Sequence, residues 1–253
     1  MKILFIGDVY GKRGLDALKY FLPEIKNDYK PNLIIVNGEN TSNGRGISEK
    51  IYKELMSMGV SAVTMGNWVW GNRELLDFID GSNIVRPINY NNAPGTGSLV
   101  INYNSKKVLV INALGRTFMN PNIECPFKTI ERAINYYKPH YSIIDIHAEA
   151  TSEKVALGHY LDGKATAILG THTHVQTADN RVLPKGTLYI TDVGMTGPYN
   201  GVIGVKKEIV IERFMNGFAN PNEVEEGAVQ FNGVLLDLIN NKIERINLVS
   251  ESI

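Results

Sequence analysis

The chain has 253 residues, 43% of them hydrophobic, with 26 basic side chains balanced by 26 acidic ones and one cysteine. That is enough apolar material to bury a full core, and α/β chains of this length are routinely one unit, so residues 1–253 are expected to form a single domain. Balanced charge without a basic stripe argues against general nucleic-acid or anionic-membrane binding, the lone Cys125 excludes an internal disulfide, and the four apolar residues at 3–6 are too few for a signal core or a membrane span. The expected location is the cytoplasm, and nothing in the sequence excludes a homo-oligomer.

Three short, continuous apolar runs, at 3–6, 33–36 and 62–65, read as strands covered on both faces of a parallel sheet. Between them Leu15, Leu18, Leu22 and Ile25, then Ile47, Ile51 and Leu55, recur at helical steps, which predicts two crossover helices. Ser48 and Asn72 are of the type that caps a helix start. The residues behind each run are polar: Gly7-Asp8, then Asn37-Gly38-Glu39-Asn40, then Gly66-Asn67-Trp68. In an open α/β sheet the carboxyl ends of the strands line one ligand crevice. Singly these are ordinary turn residues; three in succession point to a site formed by Asp8, Glu39, Asn40 and Asn67.

Residues 87–97 read as a loop, and Ser98–Tyr103 with 107–114 as a hairpin turning at Asn104-Ser105. A helix is predicted over 127–137 and a strand over 142–146 that ends in His147, with Asp145 read as a hydrogen-bonded core carboxylate and, as the alternative, a group that supports the site residues. The run 165–169 leads into Gly170-Thr171-His172-Thr173-His174. In extended backbone, positions i and i+2 point the same way, so His172 and His174 are expected to face one pocket; the alternative is a polar loop whose histidines meet only water. A short helix is predicted to hold His159, capped by Thr151 or Ser152. Residues 188–193 read as a strand, 194–198 as a loop, 206–214 as a helix, and 228–239 with 242–248 as a final hairpin on Asn240-Asn241. Early crossovers followed by hairpins suggest two sheets packed face to face with helices outside.

Asp8, Glu39, Asn40, Asn67, His147, His172 and His174 offer two carboxylates, two amide carbonyls and three imidazoles, too many for one tetrahedral zinc. Two ions sharing a carboxylate fit better, and mixed N/O ligation without thiolate suits iron, manganese or zinc. Such a pair clamps a phosphoryl group and activates water, so the implied reaction is phosphoester hydrolysis.

These stretches, together with 147–150, 170–180 and 190–198, resemble the YmdB-like branch of the bacterial calcineurin-like metallophosphoesterases over essentially the whole chain. The resemblance implies a four-layer α/β/β/α sandwich of two mixed sheets and a di-iron or di-manganese centre acting on cyclic nucleotides and other small phosphodiesters. It also implies that Asp8, Glu39, Asn40 and His174 hold one ion and Glu39, Asn67, His147 and His172 the other, with Glu39 bridging. Tyr10 stands where many metallophosphoesterases have a histidine ligand, and Asn40 fills in for it. One departure matters more than the matches. The family's Gly-Asn-His, whose histidine protonates the leaving oxygen, reads Gly66-Asn67-Trp68 here. An indole N–H donates a hydrogen bond but does not titrate, and losing a positioned general acid typically costs about 100- to 10,000-fold. Two expectations follow: a phosphodiesterase with weakened or retuned activity, or a metal-holding pseudoenzyme that binds nucleotide as a sensor or regulator. Arg13 beside the first helix start and Arg181 near the histidine pair are further candidates for phosphate contact, each with a solvated side chain as the alternative. Trp70, Tyr136 and Tyr137 are candidates for stacking a base, with core packing the commoner use.

Overall fold

Short β-branched runs form strands here because both their faces find apolar cover, and the amphipathic stretches between them form helices that supply it. In the computed structural model, which describes residues 1–119, 122–218 and 220–253, the elements are β1 (Lys2–Ile6), β2 (Asp8–Val9), α1 (Gly11–Tyr29), β3 (Leu33–Asn37), α2 (Glu49–Ser57), β4 (Ala62–Thr64), α3 (Leu75–Phe78) and β5 (Ile84–Val85). There follow β6 (Ser98–Tyr103), β7 (Lys106–Leu114), α4 (Pro126–Tyr137), β8 (Tyr141–His147), α5 (Thr151–Tyr160) and β9 (Ala167–Thr171). The remainder is β10 (Arg181–Val182), β11 (Leu188–Ile190), β12 (Met195–Pro198), α6 (Lys207–Asn216), β13 (Val229–Asp237) and β14 (Lys242–Ser250).

One sheet runs β2-β12-β13-β1-β3-β4-β5, with β14 also paired to β13; the other runs β10-β11-β9-β8-β7-β6. β1, β3, β4 and β5 are parallel, while β13 lies antiparallel to β1. In the second sheet β7, β8, β9 and β11 are parallel, and antiparallel β6 and β10 form its edges.

Alternation along each strand sorts the side chains into three cores. Ile3 and Phe5 of β1 and Leu33 and Ile35 of β3 pack with Val108, Val110, Ile143 and Leu169 between the sheets. Their neighbours Leu4, Ile6, Ile34 and Val36 turn outward onto Leu15, Leu18, Leu22 and Ile25 of α1 and Leu55 of α2. On the far side Leu109, Ile111, Ile144 and Ile146 meet Ile130 and Ala133 of α4 and Leu157 of α5. The order is therefore α/β/β/α, two mixed sheets faced by helices, as the family resemblance implied. Among the described residues no helix is long and apolar enough to cross a membrane.

Several local expectations are corrected. Residues 195–198, expected in a loop, form β12: Met195 and Thr196 pair in parallel with Asp8 and Val9, and Gly197 and Pro198 pair with β13, so tertiary pairing outweighs a turn-like composition. Ser48 does cap α2, its hydroxyl accepting from the Ile51 amide at 3.3 Å. Asn72 does not start α3; its Oδ1 accepts from the Glu74 amide at 3.1 Å in an Asx turn, and the helix begins at Leu75. Neither Thr151 nor Ser152 caps α5, which starts after Ala150 without a side-chain cap.

Backbone crowds backbone where β9 passes residue 191. A Cβ on Gly170 would lie 1.7 Å from the Thr191 carbonyl oxygen. Gly170→Ala is therefore expected to destabilise the fold by about 1–3 kcal/mol, the usual range for overpacking. Urea denaturation should show a lower midpoint; a midpoint equal to the parent's would refute this packing account.

Candidate metal centre

Parallel strands bring their carboxyl ends to one edge of the sandwich. Asp8 opens β2; Glu39 and Asn40 follow β3; Asn67 follows β4; His147 closes β8; His172 and His174 follow β9. The first four come from one sheet and the three histidines from the other, so the site lies at the mouth between the sheets.

The histidine pair arrives by a route different from the one expected. β9 stops at Thr171, and His172 and His174 both adopt left-handed backbone, with φ of 104° and 66°. The reason is Asp192, which accepts from the Thr173 amide at 3.0 Å and the Thr173 hydroxyl at 2.7 Å and so turns the chain between the two imidazoles. They do not share a partner. His172 Nδ1 lies 3.0 Å from His147 Nε2, and His174 Nε2 lies 3.2 Å from Asn40 Oδ1.

Hydrogen-bond polarity determines what these atoms present. The Thr171 hydroxyl donates to Asp145 Oδ1 at 2.6 Å, so it accepts from His147 Nδ1 at 2.8 Å. His147 Nε2 is then unprotonated. Around it stand Glu39 Oε1 at 2.9 Å, Asn67 Oδ1 at 2.9 Å and His172 Nδ1 at 3.0 Å. His172 Nε2 lies 3.1 Å from the Glu149 carboxylate and donates to it, which leaves Nδ1 a lone pair as well. At the second position His174 Nδ1 donates to the Ile203 carbonyl at 2.9 Å, and the Asn40 amide is fixed by Nδ2 donating to Gly44 O at 2.8 Å. Again a ring lone pair faces a carbonyl oxygen. Asp8 Oδ2 accepts from the His172 amide at 3.2 Å, while its Oδ1 is buried without a hydrogen-bond partner among the described residues, 3.8 Å from His147 Nδ1. The ring lone pairs of His147, His172 and His174 face one another or an amide carbonyl with no proton between them, a donor set that fits a cation.

The electrostatics lean the same way. Asp8 and Glu39 are fully buried, and burial pushes both carboxyls up to about 7. Burial pulls the His147 and His172 imidazoles down to about 4, with neighbouring His147 adding to the effect at His172; His174 is also lowered by burial. A carboxylate next to an unprotonated imidazole is not an ion pair, and positive charge is what the cluster lacks.

Further residues hold this geometry. Asp145, a core carboxylate as expected, also accepts from Asn37 Nδ2 at 2.9 Å and orients His147 through Thr171. A Cβ on Gly66 would come within 2.3 Å of Glu39 Oε2 and 2.5 Å of His147 Nε2, so only glycine fits there. Tyr10 packs edge-on against His174, ring centroids 5.6 Å apart, in the place the sequence suggested for an absent ligand. Sequence reasoning missed Lys154. Wholly buried in α5, its ammonium donates to Asp192 at 2.9 Å and to Thr171 O at 3.2 Å, tying both ends of the turn to one helix. Against the burial that would raise it, this ammonium holds the Asp192 carboxyl below its usual range. A lysine on the inner side of an otherwise apolar helical turn is the one signal that would have flagged it.

Other candidates are placed elsewhere. Arg13 is held by the Gly227 carbonyl, Asp16 and Glu226, and Arg181 sits over the Tyr189 ring at 5.9 Å. Trp70 packs edge-on against Tyr90, and Tyr136 is exposed beside Tyr137. Trp68 does reach the site: its amide donates to Glu39 Oε2 at 3.0 Å, and its indole lies at the rim with the Arg45 guanidinium 4.2 Å above the ring. Both residues line a cleft of about 920 Å³ that opens on Glu39, Asn40, His172 and His174.

Removing the ammonium alone would strand a buried carboxylate. Lys154→Met is expected to destabilise the chain by about 3–5 kcal/mol, the usual penalty for breaking a buried pair, measured by chemical denaturation. A loss below about 1 kcal/mol would contradict the assignment of Lys154 as the counter-charge of Asp192.

Comparison with known proteins agrees with the geometry. The chain is 49% identical over 255 residues to the Bacillus subtilis protein named 2',3'-cyclic-nucleotide 2'-phosphodiesterase, covering 97% of this chain and 96% of that one. A crystal structure described as a novel phosphatase from Mycoplasma pneumoniae superposes with a TM-score of 0.94 at 40% identity, covering 100% of this chain and 94% of the other. A hypothetical protein from Thermus thermophilus superposes with a TM-score of 0.93 at 40% identity over 100% of both chains. The family model described as YmdB-like protein matches residues 4–249, and the chain belongs to that family.

Proposed function

We propose that this chain is a metal-dependent phosphodiesterase that hydrolyses cyclic nucleotides or related small phosphodiesters at a two-ion centre. The observation that carries the reading is the ring of donor atoms about His147 Nε2, where Glu39, Asn67 and His172 approach within 3.0 Å and neither Asn67 Oδ1 nor His172 Nδ1 brings a hydrogen to share. One ion would be held by Glu39, Asn67, His147 and His172, the other by Asp8, Glu39, Asn40 and His174. Glu39 is common to both. Oxygen and imidazole donors without thiolate suit iron or manganese, with zinc also compatible. Bound there, such ions supply Lewis acidity toward a phosphoryl oxygen and make water a competent nucleophile at neutral pH. The name carried by the Bacillus subtilis relative supports the substrate class.

The protein's own groups do the rest. Thr171 and Glu149 fix the tautomers of His147 and His172 so that both lone pairs point inward. Arg45 has no carboxylate within 4.0 Å among the described residues, and its free charge at the cleft rim draws in and orients the phosphodiester anion. Trp68 offers an N–H to a phosphate oxygen but no proton to the leaving oxygen, so departure depends on the leaving group's own stability.

An activated aryl ester such as bis(4-nitrophenyl) phosphate is therefore expected to be cleaved at least about 100-fold faster than 2',3'-cyclic AMP, and Trp68→His to narrow that gap. Equal rates on both substrates, unchanged in the variant, would sink this account of Trp68. Glu39→Gln should lose both activities together with bound metal, followed by elemental analysis. Trp68 also favours a second reading, a metal-holding regulator that binds nucleotide without turnover. Saturable nucleotide binding by metal-replete protein that hydrolyses neither ester would select it.

A further inference from the structure

Beside the cleft that opens on Glu39 and Trp68 lies another, of about 590 Å³, and the two share His174 and Ile203 as a common wall. Its floor is a set of locked amides. Buried Asn232 donates through Nδ2 to Met195 O at 2.7 Å and to Gln230 Oε1 at 3.2 Å, and its Oδ1 accepts from Asn247 Nδ2 at 2.6 Å.

Three groups around this floor have bonding capacity left over. Asn247 spends an amide hydrogen on Asn232, while its Oδ1 makes no hydrogen bond among the described residues. Arg245, two positions earlier on β14 and hence on the same face, meets only Thr177 O at 3.4 Å and has no carboxylate within 4.0 Å among the described residues. Tyr199 is 48% exposed, with no ring neighbour and no hydrogen bond to its hydroxyl among the described residues. An aromatic face, a carbonyl acceptor and a guanidinium donor gathered on one cavity match what a nucleobase presents: a π surface, exocyclic amine hydrogens and ring acceptors.

We propose that this second cleft is the base-binding subsite for the substrate of the metal centre, with Tyr199 stacking the base and Arg245 and Asn247 reading its edge. The inference rests on the phosphodiesterase reading, because His174 is the shared wall: a phosphoryl group beside it directs the attached nucleoside across Ile203 into the trough.

The test compares parent, Tyr199→Ala, Tyr199→Phe and Arg245→Ala as metal-replete full chains, all altered at exposed positions. Two quantities are read: the ratio of kcat/KM for 2',3'-cyclic AMP to kcat/KM for bis(4-nitrophenyl) phosphate, which has no base, and calorimetric binding of 2',3'-cyclic AMP. Tyr199→Ala and Arg245→Ala should each lower the ratio and weaken binding about 5- to 10-fold, while Tyr199→Phe keeps parental values because the ring is retained. A ratio unchanged within about twofold, equal losses on both substrates, or equal nucleotide binding by all four proteins would overturn the subsite. If the parent hydrolyses neither ester, the phosphodiesterase reading fails separately and calorimetry alone decides the subsite. Absence of nucleotide binding by the parent overturns it.

Discussion

Buried imidazole lone pairs and amide carbonyls that face one another without a shared proton are costly, and the rest of this molecule is arranged to hold them there. Each group has a definite direction: Thr171 sets His147, Glu149 sets His172, the Ile203 carbonyl sets His174, and Gly44 sets the Asn40 amide. Were any of these partners absent, a ring could rotate or an amide flip, and the cluster would relax into ordinary hydrogen bonds. The structure instead maintains the electrostatic tension, with burial pushing the Asp8 and Glu39 carboxyls up to about 7. That tension separates a binding site from a polar core.

Keeping it requires rigidity from both sheets. Asp8, Glu39, Asn40 and Asn67 are fixed by the ends of β1, β3 and β4, and the histidines by β8 and the turn after β9. The turn is the strained part. Two non-glycine residues with positive φ each cost of order 1 kcal/mol or more, and the buried Lys154–Asp192 pair compensates by clamping Thr173 between them. Trp68 sits outside this frame, tied to it by one backbone hydrogen bond to Glu39 while its indole meets Arg45 and water. The same strand end thus supplies Asn67 beside His147 and, one residue on, an indole at the rim of the cleft.

Much of this was legible in the sequence because β1, β3, β4, β8 and β9 are written as mainly apolar runs and each ends in, or within a few residues of, the residue that matters. Two sheets face to face with helices outside were suggested by early crossovers followed by hairpins, and the four-layer order was what the family resemblance implied. What was not legible had a common cause, a partner distant in the chain. Met195 to Pro198 carry turn-forming residues, and only pairing with Asp8, Val9 and β13 makes them a strand. His172 and His174 were identified correctly as neighbours but on the assumption of extended backbone, since nothing local to the pair announces that Asp192 will pull Thr173 aside. The role of Lys154 was missed for the same reason: its place on the helix is a local signal, but its counter-ion lies 38 residues away.

The pairing of β1 with β13 joins residues 2–6 to residues 233–237 and places the opening strand in the middle of its sheet. Synthesis delivers β1 well before its antiparallel neighbour, so until β13 arrives that strand exposes an open, strongly apolar edge. Closing so long a loop is slow, and the crevice between the sheets stays unassembled until it is done. The strand that carries the chain into the site is thus completed only by a segment distant in sequence, which ties assembly of the crevice to one long-range pairing.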